Sequence, residues 1–190
     1  TTTSYQWQVL NADTNTWSAL NIPTSNTNAL VIPGDQSLVG KTLRVVATTT
    51  DPFGGNTEFF STGQLIANVE DEATATLSVT GNPEEGGSLQ ASLTNVVDPD
   101  GSTTTSYQWQ ELDTDTNTWI DLDLPGVASN QAELAIPDDQ SLVGKTLRVV
   151  ATTTDPFGGN TEFTSVVEQT IENVEDEATA TLSVTGNPEE

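Results

Sequence analysis

The sequence predicts an all-β fold that is built from a tandem repeat. Two long blocks recur without change, at 35–59 and 139–163 and at 68–85 and 173–190. Short runs rich in Thr, Val and aromatic residues alternate with turns rich in Gly, Pro, Asn and Asp, which is typical of short strands. No segment of useful length shows helical periodicity. The blocks at 35 and 139 are 104 positions apart, so the predicted unit is one domain of about 105 residues.

The repeat divides the chain into three parts. We expect a partial domain at 1–69 that lacks its first two strands and a complete domain at 70–174. Residues 175–190 match the first strand of a third domain. These boundaries suggest a piece of a longer array, in which the number of units and their junctions carry the function.

Seven strands are predicted in the complete unit. Each is a short run with apolar residues at period two, and each is bounded by turn residues. They lie at 75–80, around Leu89, Ala91 and Leu93, and at 106–110, 118–122, 133–136, 146–153 and 161–171. Trp109 on the third strand, with Trp7 as its counterpart, suits the large aromatic that an immunoglobulin-like β-sandwich buries between its sheets. We therefore predict tandem seven-stranded immunoglobulin-like sandwiches.

The composition excludes several functions. The chain has no Cys and no His, which rules out disulfides, thiolate chemistry and catalysis by Ser-His-Asp or Cys-His groups. Its 28 acidic and four basic residues give a net charge of −24, so we expect no nucleic-acid partner and no binding to anionic membranes. No apolar run is long enough to insert in a bilayer.

The acidic residues are placed where domains would join. If seven antiparallel strands alternate in direction, the loops with Asp98, Asp100 and Asp155 share the pole that faces the preceding domain. The chain enters that pole through an acidic linker. Ca²⁺ takes six to eight oxygen ligands, and crowded carboxylates without a cation would repel each other. The predicted calcium ligands are Glu70, Asp71, Glu72, Asp98, Asp100 and Asp155, with Asp13 and Asp35 from the outgoing domain and with Asp51, Asp139, Glu175, Asp176 and Glu177 at equivalent positions.

Each of these aspartates has a second interpretation. Asp-Pro-Asp-Gly and Asp-Pro-Phe-Gly-Gly are ordinary turns, in which Asp caps its own backbone and Gly supplies a positive φ. The linker acids have no such role in a turn, and both linkers are identical, so calcium explains them better. Glu84 and Glu85, in a loop of the far pole, are weaker candidates for calcium ligands.

The order TGNPEEGGSL, DPDG, SYQWQ and IPDDQSLVGKTLRVVATTTDPFGG resembles the tandem extender repeats of very large bacterial RTX adhesins, such as the ice-binding adhesin and related biofilm adhesins. The resemblance covers essentially the whole chain. It implies a secreted, cell-surface stalk that calcium stiffens and that holds a ligand-binding region away from the cell. The GGxGxD calcium repeats of such adhesins are absent from this sequence.

Three functions follow from these patterns. The first is a structural spacer whose partners are the neighbouring repeats. The second is a carbohydrate- or protein-binding module. Such a module needs exposed aromatic residues or a site that differs between the copies, and the copies differ most at 9–30 against 111–134. The third is a hydrolase with paired carboxylates, which we do not expect because no nucleophile motif or phosphate loop accompanies them. We also expect that the strand sequence at 175–190 of one molecule could complete the partial domain of another.

Overall fold

The computed structural model describes residues 1–166 and 168–186, and every regular element in that part of the chain is a strand. The first copy of the repeat contains β1 (Thr2–Asn11), β2 (Thr16–Ala19), β3 (Thr42–Thr50), β4 (Asn56–Phe60) and β5 (Gln64–Leu65). The second copy contains β6 (Thr74–Asn82), β7 (Ser88–Val97), β8 (Thr104–Asp113), β9 (Thr118–Asp121), β10 (Glu133–Ala135), β11 (Thr146–Thr154), β12 (Asn160–Thr164) and β13 (Gln169–Thr170). The all-β prediction is confirmed.

The second copy forms two antiparallel sheets, as in a β-sandwich. One sheet has the order β10-β7-β6, and the other has the order β12-β11-β8-β9 with β13 also paired to β11. Strand residues that alternate at period two meet in one buried core, which includes Trp109, Leu134, Leu147 and Val149. Trp109 is fully buried, as predicted, and its indole donates a hydrogen bond of 2.9 Å to the Gln131 carbonyl.

The first copy forms one sheet alone, in the order β2-β1-β3-β4 with β5 paired to β3. Its buried core is reduced to Leu20, Leu38 and Leu43. The residues that match β10 form no strand here. In the second copy β10 pairs with β7, and no described strand of the first copy matches β7. The inner face of this sheet is therefore open, and Phe59 is 57% exposed.

The predicted last strand at 161–171 differs from the structure, in which β12 and β13 are separate. The first copy shows the physical reason. Val46 pairs with Phe60, whereas Leu43 pairs with Gln64, so one extra residue stands between β4 and β5 opposite β3. That extra residue is a β-bulge, which interrupts the ladder and bends the strand.

Packing divides the chain into two compact units. Unit 1 comprises 1–74, 96–104 and 153–161, and unit 2 comprises 75–95, 105–152 and 162–190. Unit 1 thus contains the first copy, the acidic linker and two loops of the second copy. Residues 175–186 form no strand, although their sequence matches β6, and 187–190 lie outside the described residues. A strand needs a partner: in the second copy β6 pairs with β7, and among the described residues no strand pairs with 175–186.

Candidate metal centre

Three carboxylates meet within unit 1. One oxygen each from Glu70, Asp100 and Asp155 lies within 4.8 Å of the others. Glu70 comes from the linker, Asp100 from the turn between β7 and β8, and Asp155 from the turn between β11 and β12. Asp100 is 2% exposed and Asp155 is 6% exposed. We call these three residues the acidic cluster.

The turn after β7 directs Asp100 into the cluster. The Asp98 carboxylate accepts a hydrogen bond of 2.8 Å from the Asp100 amide, and the Gly101 amide donates to the Asp98 carbonyl at 3.2 Å. Gly101 has a φ of 124°, which a residue with a Cβ would rarely adopt. Asp98 therefore shapes the turn, and Asp100 is free to point inward.

Both oxygens of the buried Asp100 are held by donors. Oδ1 accepts from Gln36 Nε2 at 2.5 Å, and Oδ2 accepts from the Asp71 backbone amide at 2.8 Å. The linker is fixed again two residues later, where the Ala73 amide donates to Thr161 Oγ1 at 2.9 Å. These bonds fix the linker backbone beside the loops that carry Asp100 and Asp155.

Asp155 keeps one oxygen without a partner. Its Oδ1 accepts from the Phe157 amide at 2.5 Å, and its own amide donates to the Gly159 carbonyl at 3.0 Å. Its Oδ2 is buried and has no hydrogen-bond partner among the described residues. Leaving a buried anionic oxygen unsatisfied is unfavourable, so this atom needs a cation or a proton.

The identical turn in the first copy provides a comparison. Asp51 is exposed, and its Oδ1 accepts from both the Phe53 amide, at 2.7 Å, and the Gly55 amide, at 2.9 Å. In the second copy the place beside Gly159 is taken by Glu70, since a Cβ at Gly159 would overlap the Glu70 carboxylate. The linker acid therefore converts an ordinary aspartate turn into part of the cluster.

Electrostatics within the cluster are unfavourable for three anions. Loss of solvent raises the pKa of Glu70 above its usual value, and the nearby charges of Asp155 and Asp100 raise it further. Asp98 adds a smaller effect in the same direction. No lysine or arginine in the described part of the chain forms an ion pair with these carboxylates. A cation, or a proton shared between Glu70 and Asp155, would relieve the repulsion.

The other predicted ligands lie outside the cluster. Asp71 contributes its backbone amide, Asp98 holds its own turn, and Glu72 is exposed. Asp35 and Asp139 accept hydrogen bonds from Ser37 and Ser141, which lower the pKa of both aspartates. The remaining predicted residues are exposed and join no such cluster among the described residues: Asp13, Asp51, Glu175, Asp176 and Glu177.

The structure adds Gln36, which the sequence analysis did not single out, to this junction, and it buries Glu85 at a second place. Gln36 reaches Asp100, as described above. Glu85 is 6% exposed and accepts from Gln140 Nε2 at 2.9 Å on each oxygen and from the Val174 amide at 3.3 Å. Gln36 and Gln140 occupy the same position of the repeated DQS turn. That repetition is the only feature of the sequence that pointed to them.

No protein-family model matches the chain, and curated protein sequences give no significant match. In the described part of the chain, no helix has the length and apolar character to span a bilayer.

The acidic cluster has the chemistry of a site for a hard divalent cation. Ca²⁺ binds carboxylate, amide and carbonyl oxygens at about 2.3–2.6 Å, so oxygens that share one ion lie at most ~5 Å apart. The three oxygens here satisfy that limit. Without Cys or His in the sequence, soft metals have no preferred ligand, and an all-oxygen site favours Ca²⁺ or Mg²⁺.

Proposed function

We propose that this chain is part of a calcium-stiffened array of immunoglobulin-like repeats that serves as a spacer in a bacterial cell-surface adhesin. The acidic cluster is the observation that carries the proposal. It joins a linker acid to two loops of the following repeat, and the buried Asp155 Oδ2 has no partner among the described residues. The resemblance to RTX adhesin extenders supports the same function.

The stiffening follows from charge. Without a cation, Glu70 is repelled by Asp100 and Asp155, and each such pair at about 4 Å costs roughly 1–4 kcal/mol depending on exposure. The Glu70 side chain is then driven away from the loops, while the backbone bonds at Asp71 and Ala73 remain. With Ca²⁺ bound, the same three carboxylates attract one ion, and the linker is tied to both loops. The protein acts as a mechanical element and not as a catalyst.

Calcium suits the proposed location. Extracellular calcium modules bind with dissociation constants on the order of 10⁻⁴–10⁻³ M, close to the calcium concentration outside cells. An array with such sites would stay flexible where calcium is scarce and stiffen after export. The high negative charge keeps many identical domains soluble and apart.

Small-angle scattering tests the proposal on the whole chain. We expect calcium to increase the maximum interatomic distance or to narrow the distribution of distances, and a chelator to reverse this. Asp155→Asn should abolish the response, whereas Asp51→Asn, in the identical turn of the first copy, should keep it. Scattering that is the same with calcium and with chelator would refute the stiffening.

A second function is favoured by one observation on the first sheet. The Arg44 guanidinium lies 4.3 Å from the ring centre of Trp17 and 4.8 Å from that of Phe60. In the second copy Arg148 lies 4.4 Å from Trp119, and Thr164 replaces the Phe. This aromatic difference between the copies would suit a carbohydrate-binding face. Binding on a glycan array that Phe60→Thr removes would favour this function over the spacer.

A further inference from the structure

The repeated Asp-Gln-Ser turn has two backbone conformations in one chain. Gln36 has a φ of 61°, whereas its counterpart Gln140 is not among the residues with positive φ. The sequences around them are identical from Asp35 to Phe59 and from Asp139 to Phe163. A left-handed conformation is unfavourable for a residue with a Cβ. The copies differ just before the turn, at Gly34 against Asp138, and they also differ in the tertiary contact of the glutamine.

The two glutamine side chains bind different carboxylates. Gln140 Nε2 donates to both oxygens of Glu85, which lies in the turn between β6 and β7. Gln36 Nε2 instead donates to Oδ1 of Asp100 at 2.5 Å. The same side chain therefore reaches whichever buried carboxylate stands before it.

The bond from Gln36 holds the second oxygen of the Asp100 carboxylate in place. Asp71 donates to Oδ2 and Gln36 donates to Oδ1, so neither oxygen can rotate out of the cluster without losing a hydrogen bond. Hydrogen bonds to charged groups are stronger than those between neutral groups. In addition, Gln36 Oε1 is buried and has no partner among the described residues. An amide oxygen is a common ligand of Ca²⁺.

We propose that Gln36 is a positioning residue of the calcium site, and that through it the first copy of the repeat takes part in calcium binding. The inference rests on the proposed function. Charge is not the only feature of the acidic cluster that points to a bound cation. Asp155 is more than nine-tenths buried and directs an unpartnered oxygen into the cluster. Glu70, Asp100 and Asp155 all follow the first copy in sequence, and Gln36 is the residue of that copy bonded to one of them.

The proposal predicts a difference between two identical turns. In calcium titrations of the full chain by calorimetry, Gln36→Ala should weaken calcium binding by about tenfold, as expected for loss of a hydrogen bond to a charged group. Gln140→Ala is the matched control, since Gln140 bonds Glu85 outside the cluster, and it should leave the calcium affinity within about twofold. The stability of the second sandwich should show the opposite order, with Gln140→Ala lowering it more than Gln36→Ala does.

Measurements in chelator distinguish a role of Gln36 in calcium binding from a purely structural role. Gln36→Met keeps the length of the side chain without polar atoms, so the fold should be preserved while calcium binding weakens as in Gln36→Ala. We expect Gln36→Met to lower the thermal midpoint in chelator, because Asp100 Oδ1 loses its donor. The further rise of the midpoint on adding calcium, measured from each variant's own value in chelator, should be smaller for Gln36→Met than for the wild type and unchanged for Gln140→Ala.

The outcomes distinguish this inference from the proposed function. If Asp155→Asn loses calcium but Gln36→Ala and Gln36→Met bind it as tightly as the wild type, the inference is wrong and the proposed site stands. If the wild type binds no calcium at millimolar concentrations, both are wrong. Weakening by Gln140→Ala equal to that by Gln36→Ala would also overturn the inference, because it would show a general effect of the turn.

Discussion

The backbone amide of Asp71 donates a hydrogen bond of 2.8 Å to Oδ2 of Asp100, an almost completely buried carboxylate. The acidic linker is thus held by its main chain as well as by the Glu70 side chain. This bond attracts the linker to Asp100, whereas the charges of Asp155 and Asp100 oppose the approach of Glu70. The linker should therefore remain docked at Asp71 without calcium and lose order around Glu70.

Asp155→Asn should separate calcium binding from stability. Asn keeps the oxygen that accepts from the Phe157 amide but removes a charge beside Glu70 and Asp100. In chelator we expect the variant to be more stable than the wild type by about 1 kcal/mol, which is roughly 2–4 °C in the thermal midpoint. In calcium the wild type should be the more stable protein. Asp51→Asn is the control, and a calcium response that survives Asp155→Asn would contradict the site.

Gly159→Ala should displace Glu70. A Cβ at Gly159 would overlap the Glu70 carboxylate, whereas at Gly55 the nearest atom would be Oδ2 of Asp51 in its own turn. We expect Gly159→Ala to weaken calcium binding by tenfold or more and Gly55→Ala to leave it unchanged. Isothermal calorimetry measures both. Equal affinity of the two variants would show that Glu70 is not a ligand.

Calcium should protect the first acidic linker from a glutamate-specific protease. Cleavage after Glu70 requires this segment to leave Asp100 and Asp155, which bound calcium opposes. The second linker is an internal control, because Glu175 and Glu177 are exposed and join no metal cluster among the described residues. Mass spectrometry should find cleavage at the second linker in both conditions and at the first mainly in chelator. Equal cleavage of the first linker in both would count against calcium docking.

Asp139 should make a pH-dependent contribution to stability. Hydrogen bonding by Ser141, whose amide donates to Asp139 Oδ1 at 2.9 Å, lowers the pKa of Asp139 below its usual value of 3.8. A lowered pKa in the folded state means that the contribution is present above about pH 3.8 and is lost as the pH falls through the folded pKa. Asp139→Asn should therefore slightly lower the thermal midpoint at pH 7 and have little effect near pH 2. A midpoint difference that is the same at both pH values would show that ionisation plays no part.

The open sheet of the first copy should bind the strand sequence of a second molecule. Leu182 is 92% exposed, whereas its counterpart Leu77 in β6 packs against the core of the second copy. We expect weak association, with a dissociation constant near the millimolar range because a single strand buries little area. Light scattering at increasing concentration should detect it. Leu182→Asp with Val184→Asp should abolish it, and Thr181→Asp with Ser183→Asp, on the opposite face, should affect it less.

Much of the fold follows from local patterns. The period-two runs predicted β6 to β11 to within a few residues, because strand side chains alternate between core and solvent. Trp109 was correctly placed in the core for the same reason. The interruption between β12 and β13 was missed, since a bulge depends on the register with the neighbouring strand, which a single run of residues does not contain.

The candidate site was predicted only in part. Glu70, Asp100 and Asp155 were among the predicted ligands, because loop polarity follows from strand direction. Asp35 and Asp139 instead bond their own serines, which is the alternative that the turn sequence had left open. Gln36 was missed because an amide in a turn carries no distinctive signal until its partner is known.

By itself the sequence determined the repeat, the all-β class, the strand positions and the presence of an acidic linker, because these depend on composition and periodicity. It could not determine that Asp155 joins the acidic cluster while Asp51 stays a capped turn, or that Gln36 turns left-handed while Gln140 does not. The two turns share the sequence from Asp35 and from Asp139 onward and differ just before it, at Gly34 against Asp138. The tertiary structure decides between them, because only Asp155 lies beside Glu70 and only Gln140 has Glu85 before it.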